Sequence, residues 1–499
     1  MTISSFNGYH SVMSLRIHNM RAQFTDLQRQ LGTGQKAETF GGLGVQAGLD
    51  VALRQQLADV NAWQSTTEHT GLRLELLNQT FEQISAIATD AAEGTDPNAF
   101  DLLSDGQTAG QNIAMTSLAE LFGLMNTDIG GRYLMSGKAV NTKPVEALGV
   151  VLNGDGTRAG FLQVRDERLE ADLGPAVAAG NLGRIDVSSV GTTVTFAEDG
   201  VHPFGFKVTG VNSGLSNATV TGPAGSPATT DVTFTGDPVT GEVIRVYLDL
   251  PDGTTTDIAL TVGGSGEPGT FAIGNTPADT AANFEAALAD AFAAEAATTL
   301  RSASGMAAAD DFFGTTGGGE PQRVDGPPFD TATAMVSDSA TTVVWYRGDN
   351  TAEDPRLGAT ARIDDSVTIS YGLRANEEAL VNIVKGLAVY GTETFTANDE
   401  TDRARYSELA DRSWYELAEQ SGSNSLRALV SEFGTISYSV GTAEQRHVAA
   451  AGTLIEAVEG IESSNLEEVA TKLLQLETLL EANYTTMSKL AEMSLTNYI

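Results

Sequence analysis

The sequence contains no cysteine, so disulfides, thiolate metal sites and cysteine nucleophiles are excluded, and packing alone has to hold the fold. Histidine is almost as scarce: five residues are scattered without an HExxH or comparable ligand spacing, and neither a metal nor any other cofactor is expected. Basic residues are few. Only 29 Lys and Arg stand against 65 Asp and Glu, for a formal net charge of -36. That balance gives no clustered positive footprint, so neither nucleic acid nor an anionic membrane is an expected partner. It also keeps monomers apart until directional contacts overcome the repulsion. Long apolar runs are missing too. No stretch of about 18 apolar residues occurs, and the opening MTISSFNGYHSVMSLRIHNM lacks the apolar core of a secretory signal. Neither membrane spanning nor export by the general secretion route is expected.

Signatures of catalysis are equally thin, and no enzymatic activity is expected. Gly42-Leu43-Gly44-Val45-Gln46-Ala47 imitates a dinucleotide fingerprint but follows helical sequence, whereas phosphate binding needs a strand, a turn and a helix in that order. There is no GxxxxGK[ST], GxSxG or DxDxDG segment. Asp310 and Asp311 are neighbours, as chance predicts in so acidic a chain. Arg347-Gly348-Asp349 resembles an adhesion tripeptide but reads as a turn after Val343-Val344-Trp345-Tyr346, and Asn217-Ala218-Thr219 is a nominal glycosylation sequon. Trp345 and Tyr346 offer a carbohydrate platform on paper, although adjacent aromatics in a strand usually divide between core and solvent.

What is present falls into three regions. At 499 residues, with 41% hydrophobic residues and 53 glycines, the chain is long enough for several domains and rich in turns. From Ser11 to about Leu134 it reads as helices, broken at Phe40-Gly41-Gly42-Leu43-Gly44, Gly94-Thr95-Asp96-Pro97 and Gly130-Gly131. Met20, Phe24, Leu27 and Leu31 step by three and four along one stripe, as do Leu74, Leu77, Phe81, Ile84 and Ala88. From about Lys143 to Asp365 the texture turns to Gly, Thr, Val and Asp. Thr193–Phe196, Asp231–Thr235 and Val243–Leu248 read as strands, with a turn at Pro251-Asp252-Gly253. One helix, Thr280 to Ala294, interrupts them, entered through Pro277-Ala278-Asp279, and the group suggests a compact α+β subdomain at 205–325. Beyond Ala375 helical texture returns. Val469, Leu473, Leu476, Leu480, Met487 and Leu490 form its strongest stripe.

The charges of the two ends are opposite. In residues 1–36 Arg16, Arg21, Arg29 and Lys36 outweigh Asp26 for +3, while in residues 456–499 eight glutamates outweigh Lys472 and Lys489 for -6. Opposite signs on two amphipathic helices favour pairing with each other over self-pairing, with Arg16, Arg21 and Arg29 facing acids such as Glu477 and Glu481. The expected fold class is α+β: long N- and C-terminal helices packed as an α-helical coiled-coil rod, with a β-rich central insertion.

Three segments resemble the flagellin superfamily. Leu27-Gln28-Arg29-Gln30-Leu31-Gly32-Thr33-Gly34-Gln35-Lys36 is similar to its "LxxQLSTGxR/K" segment. Asn126-Thr127-Asp128-Ile129-Gly130-Gly131-Arg132-Tyr133-Leu134-Met135-Ser136-Gly137 resembles the "GRYLFSG" segment that closes the N-terminal helical region, with Met135 where Phe is common. Leu473-Leu474-Gln475-Leu476-Glu477 through Ser494-Leu495-Thr496-Asn497-Tyr498-Ile499 resembles the family's C-terminal ending. In the middle, Trp345–Asp349 and Tyr371–Glu377 are similar to larger alphaproteobacterial members.

The resemblance implies a structural subunit of the bacterial flagellum, exported by the flagellar type III apparatus and polymerising through its terminal helices into the extracellular filament for motility. It implies that residues 1–40 and 456–499 form the inner tube, that 41–144 and 376–455 form a helical rod domain, and that 145–375 is a surface-exposed insertion. Implied partners are further copies of the chain in a helical homopolymer, neighbouring flagellar axial proteins, the export apparatus and an export chaperone. The Gly-Arg-Tyr-Leu segment and the Asn-Tyr-Ile ending look more like the hook-filament junction protein (the third hook-associated protein), while the length and large insertion look more like a filament subunit. A surface adhesin or carbohydrate-binding module in the insertion is a further alternative.

Overall fold

The computed structural model describes residues 3–264, 266–418 and 425–496; its side chains are described from residue 12 to 489 and at Glu492 within those spans. The fold is mixed α+β. Its contacts divide it into two compact units, one of residues 1–71, 362–368 and 439–499, the other of the remainder. This division falls deeper into the helices than the boundaries near 40 and 456 suggested by sequence.

In the first unit α1 (Ile3–Thr33) leads through a 3-10 turn, Phe40–Gln46, into α2 (Ala47–Gly94). The Gly42-Leu43-Gly44 segment thus follows a helix and starts one. The chain then leaves this unit, apart from residues 362–368, and returns to it with the later part of the helix Leu426–Glu462, here α10, and with α11 (Leu466–Thr496). The segment 362–368 joins it for a polar reason. His447 on α10 makes a hydrogen bond of 2.7 Å from Nε2 to the Ile363 carbonyl, Arg446 pairs with Asp364, and the His447 ring lies 5.9 Å from Trp63 on α2.

The second unit has a helical layer and a β-wrapped subdomain. α3 (Ala109–Met125) is opened by a reciprocal cap in which Thr108 and Gln111 satisfy each other's backbone amides. α4 (Leu148–Asn153) and α5 (Phe161–Leu173) follow. α8 (Glu378–Thr392) is apolar almost all round and accordingly buried on nearly every side, packed by α3, α7 (Arg301–Phe313) and α9 (Glu400–Leu417). Gly386 permits the α8–α9 approach, since a Cβ there would lie 2.9 Å from the Leu417 side chain and 3.1 Å from the Ser413 carbonyl. The early part of α10 meets the later part of α2 through Phe433 and Phe81, both fully buried with ring centres 5.3 Å apart.

A hairpin of β1 (Asp128–Ile129) and β2 (Arg132–Tyr133) turns at Gly130-Gly131, where φ values of 60° and 79° require glycine. Beyond α5 and the short pair β3 (Ala176–Val177) and β4 (Gly180–Asn181) come eight strands in two sheets. They are β5 (Ile185–Val190), β6 (Thr193–Glu198), β7 (Lys207–Ser213), β8 (Ala218–Ala224), β9 (Thr229–Phe234), β10 (Val243–Asp249), β11 (Thr255–Val262) and β12 (Thr270–Phe271). One sheet has the order β5-β6-β9-β8, the other β12-β11-β10-β7. Pairing is antiparallel except for β11 with β12, and registers such as Val194 opposite Val232 and Val246 opposite Ile258 set apolar residues face to face.

Both sheets close on α6 (Pro277–Glu295), whose Phe284, Leu288 and Phe292 share a core with Phe196, Phe234, Leu248 and Phe271. This core runs from Leu182 to Ala303, so the subdomain begins earlier and ends earlier than the predicted 205–325. Two further findings correct the sequence reading. The β-rich region holds α4, α5 and α7 besides the one helix predicted there, and α7 continues from α6 through a π turn, Ala296–Leu300.

Candidate assembly surface

α1 and α11 pack on one another through the predicted stripes. Leu476 and Leu480 are buried with Ile17, and Met20, Phe24, Leu27 and Met487 pack half-buried against them. Val469 is buried, Leu473 half-buried and Leu31 exposed; the side chain of Leu490 lies outside the described residues, as does the chain end 497–499. Ile17 escaped the sequence reading, although it stands three residues before Met20 and extends the same stripe.

The structure does not bring the predicted charge partners together. Arg21 donates from Nε to the Tyr484 hydroxyl at 2.6 Å and lies 5.4 Å from the centre of that ring, a cation–π contact in place of an ion pair. Arg29 turns to Asp26 at 2.7 Å and to the Lys36 carbonyl at 3.0 Å. Asp26 is one turn away on the same helix, so that pair closes at little entropic cost. Glu477 and Glu481 each follow a buried leucine by one position, which carries them round the helix into solvent, and among the described residues they and Arg16 form no ion pair.

The pair leaves apolar surface uncovered. Leu15 on α1 is 65% exposed, and Leu474 and Leu479 on α11 are 63% and 54% exposed. An open groove of about 550 Å³ beside the pair is lined by Ile17, Arg21, Thr25, Tyr484 and Met487.

In the second unit the proposed carbohydrate platform is not at the surface. Trp345 and Tyr346 are both fully buried, against the expectation that one would face solvent. Trp345 donates Nε1–H to the Phe313 carbonyl at 3.0 Å, with its ring 5.7 Å from that of Phe313, so the indole is a core side chain with its polar group satisfied. The adhesion-like tripeptide is tied down as well. Arg347 pairs with Glu146, and Asp349 lies under Arg374 at 3.1 Å. Asn217 of the sequon sits at φ 56° and donates to the Asp237 carbonyl at 2.8 Å. The adjacent acids Asp310 and Asp311 take separate cations, Lys385 and Arg168. Burial pushes the Asp311 carboxyl up to about 6 against the pull of Arg168.

Among the described residues no group of three or more His, Asp or Glu side chains could hold a metal ion, and no helix is long and apolar enough to cross a membrane. No protein-family model and no curated protein matches the chain.

Proposed function

We propose that the chain is a structural subunit of the bacterial flagellum that polymerises through its terminal helices, as a filament subunit. The observation that carries this reading is the half-used apolar surface of α1 and α11: the pair buries one stripe, around Leu476 and Leu480, and leaves Leu15, Leu474 and Leu479 in solvent. Burying a leucine contributes roughly 1.5–3 kcal/mol, so covering these exposed leucines with further copies of the pair offers a driving force that a monomer cannot use. The three flagellin-like segments lie at both ends of the chain, and two of them fall on this pair. In this reading the terminal helices line a tube, a helical rod surrounds them, and the β-wrapped subdomain points outward. The protein leaves the cell through the flagellar export apparatus with a chaperone, acts outside it, and performs no catalysis.

The hook-filament junction protein is the second reading, favoured by Gly131-Arg132-Tyr133-Leu134 and Asn497-Tyr498-Ile499. Electron micrographs of the purified protein after seeding separate the two: long filaments are expected, and short collars that stop growing would establish the junction role. Monomers that never assemble under seeding would overturn both.

A further inference from the structure

The junction at which α1 gives way to α2, and α10 to α11, holds a carboxylate without a proper partner. Residues 34–36 run beside 462–464: the Lys36 amide donates to the Glu462 carbonyl at 2.7 Å and the Ser464 amide to the Gly34 carbonyl at 2.8 Å. Lys36 Nζ donates to the carbonyls of Gly460 and Ile461, each at 2.9 Å, placing a cation at the C-terminal end of α10 where free carbonyls and the helix dipole favour one.

Beside this crossing Asp50, in the first turn of α2, is fully buried, yet neither of its carboxylate oxygens takes part in a hydrogen bond. The nearest cation is Arg54, whose Nε stands 3.5 Å from Oδ2. That guanidinium is committed elsewhere: the same nitrogen donates to Glu462 Oε1 at 2.9 Å, and the group also lies 5.9 Å from the Phe40 ring centre. One positive charge therefore serves two carboxylates. The other charged groups of the junction do not help, because Lys36 is spent on α10 and Arg29 on Asp26, with Glu38 at 4.0 Å from Arg29. A buried ionised carboxylate without donors is strongly disfavoured, and protonation is the simplest remedy. Burial, then the negative charge of Glu462, raises the Asp50 carboxyl above its ordinary 3.8, with Arg54 opposing.

We propose that Asp50 is a proton-binding site that holds this junction closed when protonated and loosens it when ionised. With the proton in place, Asp50 offers an O–H toward Glu462 and the trio of Asp50, Glu462 and Arg54 is electrically neutral. Without it, the trio carries one uncompensated negative charge, and Asp50 bears its own out of reach of solvent. The sign follows from linkage. The closed state holds its proton more tightly than the open state, so closure is strongest in acid and weakens as pH rises through the closed-state value. A single proton limits the change to tenfold per pH unit. The device operates within one chain, whether or not that chain polymerises.

Hydrogen exchange of the full-length monomer tests it. Protection factors of peptides covering 33–39 and 460–466, each referred to the unstructured rate at the same pH, should fall in the wild type as pH is raised from 3, below the ordinary 3.8, to 8. In Asp50→Asn, which keeps the shape and the donor but cannot ionise, they should stay flat. Flat protection in the wild type would overturn the proposal without recourse to any variant. So would a fall of equal size in Asp50→Asn, or in Glu462→Gln no shift of the midpoint to lower pH.

Discussion

At the scale of single residues, one buried polar anchor lies where a helix begins. Asp402 in the first turn of α9 accepts the amides of Thr396, Ala397 and Asn398 at 3.1, 2.7 and 3.1 Å, gathering three donors that the preceding loop cannot satisfy otherwise. Burial pushes its carboxyl upward, but the amides and Arg405 win and hold it below the ordinary 3.8. Its contribution is therefore fully present above that ordinary value and is lost as pH falls through the lowered one. Asp402→Asn should cost about 2 kcal/mol at pH 7, since hydrogen bonds to a charged acceptor exceed those to a neutral one. The deficit should shrink as the pH is lowered toward 2, because each wild-type carboxylate that takes up a proton loses the advantage of its charge. Urea unfolding at the two pH values checks this, and equal deficits at both would mean that the charge contributes nothing.

Between elements, the contact of α1 with α11 centres, among the described residues, on Ile17, Leu476 and Leu480, so one change there should undo it. Leu476→Asp puts an unpaired carboxylate between Ile17 and Leu480, at a cost of several kcal/mol. Assembly should be lost while the circular dichroism of the rest of the chain persists; filaments of normal length from this variant would remove α11 from the assembly surface. This pair was legible in the sequence because its apolar residues recur at three and four, and so were β6, β9 and β10 by alternation and α6 by its entry chemistry and periodic phenylalanines. α5 and α7 were not. α5 reads as charged because its Arg168 and Asp172 are buried as a pair, and α7 is packed through Ala303, Ala307 and Ala308, residues too small to register as an apolar stripe. The partners of Arg21 and Arg29 were hidden for another reason. Net charge fixes which ends attract, whereas contact is decided by which group lies within one turn, or by a tyrosine ring that carries no charge. Asp50 was invisible for a third reason: it is buried beside a crossing of segments distant in sequence, 34–36 and 462–464.

For the whole molecule, the β-wrapped subdomain leaves and rejoins the chain at one place. A Cβ on Gly183 would lie 2.6 Å from the Leu300 side chain, so the segment between them starts and ends side by side. Replacing residues 186–297 with a short Gly/Ser linker should leave a folded helical remainder that still forms filaments, thinner than those of the intact chain. If the shortened protein folds by circular dichroism yet does not assemble, the subdomain makes lattice contacts. Charge gives a second expectation. At 0.15 M salt the Debye length is about 8 Å, so repulsion between subunits of net charge -36 is screened far more than apolar contacts between helices. Seeded polymerisation should accelerate as salt rises from low concentration, more with sulfate than with chloride. Turbidity that falls steadily across the salt series would show that attraction between the +3 and -6 ends governs assembly instead.

The continuous helical run from Pro277 to Phe313 gives the second unit a mechanical character. Its first part is clamped among the strands by Phe284, Leu288 and Phe292; its last part is clamped in the helical layer, where Phe313 packs at a tilt on Phe161 and edge-on against Trp345. A beam built in at both ends does not pivot. In the proposed filament, sideways drag on the β-wrapped subdomain would reach the helices around α8 as a bending moment.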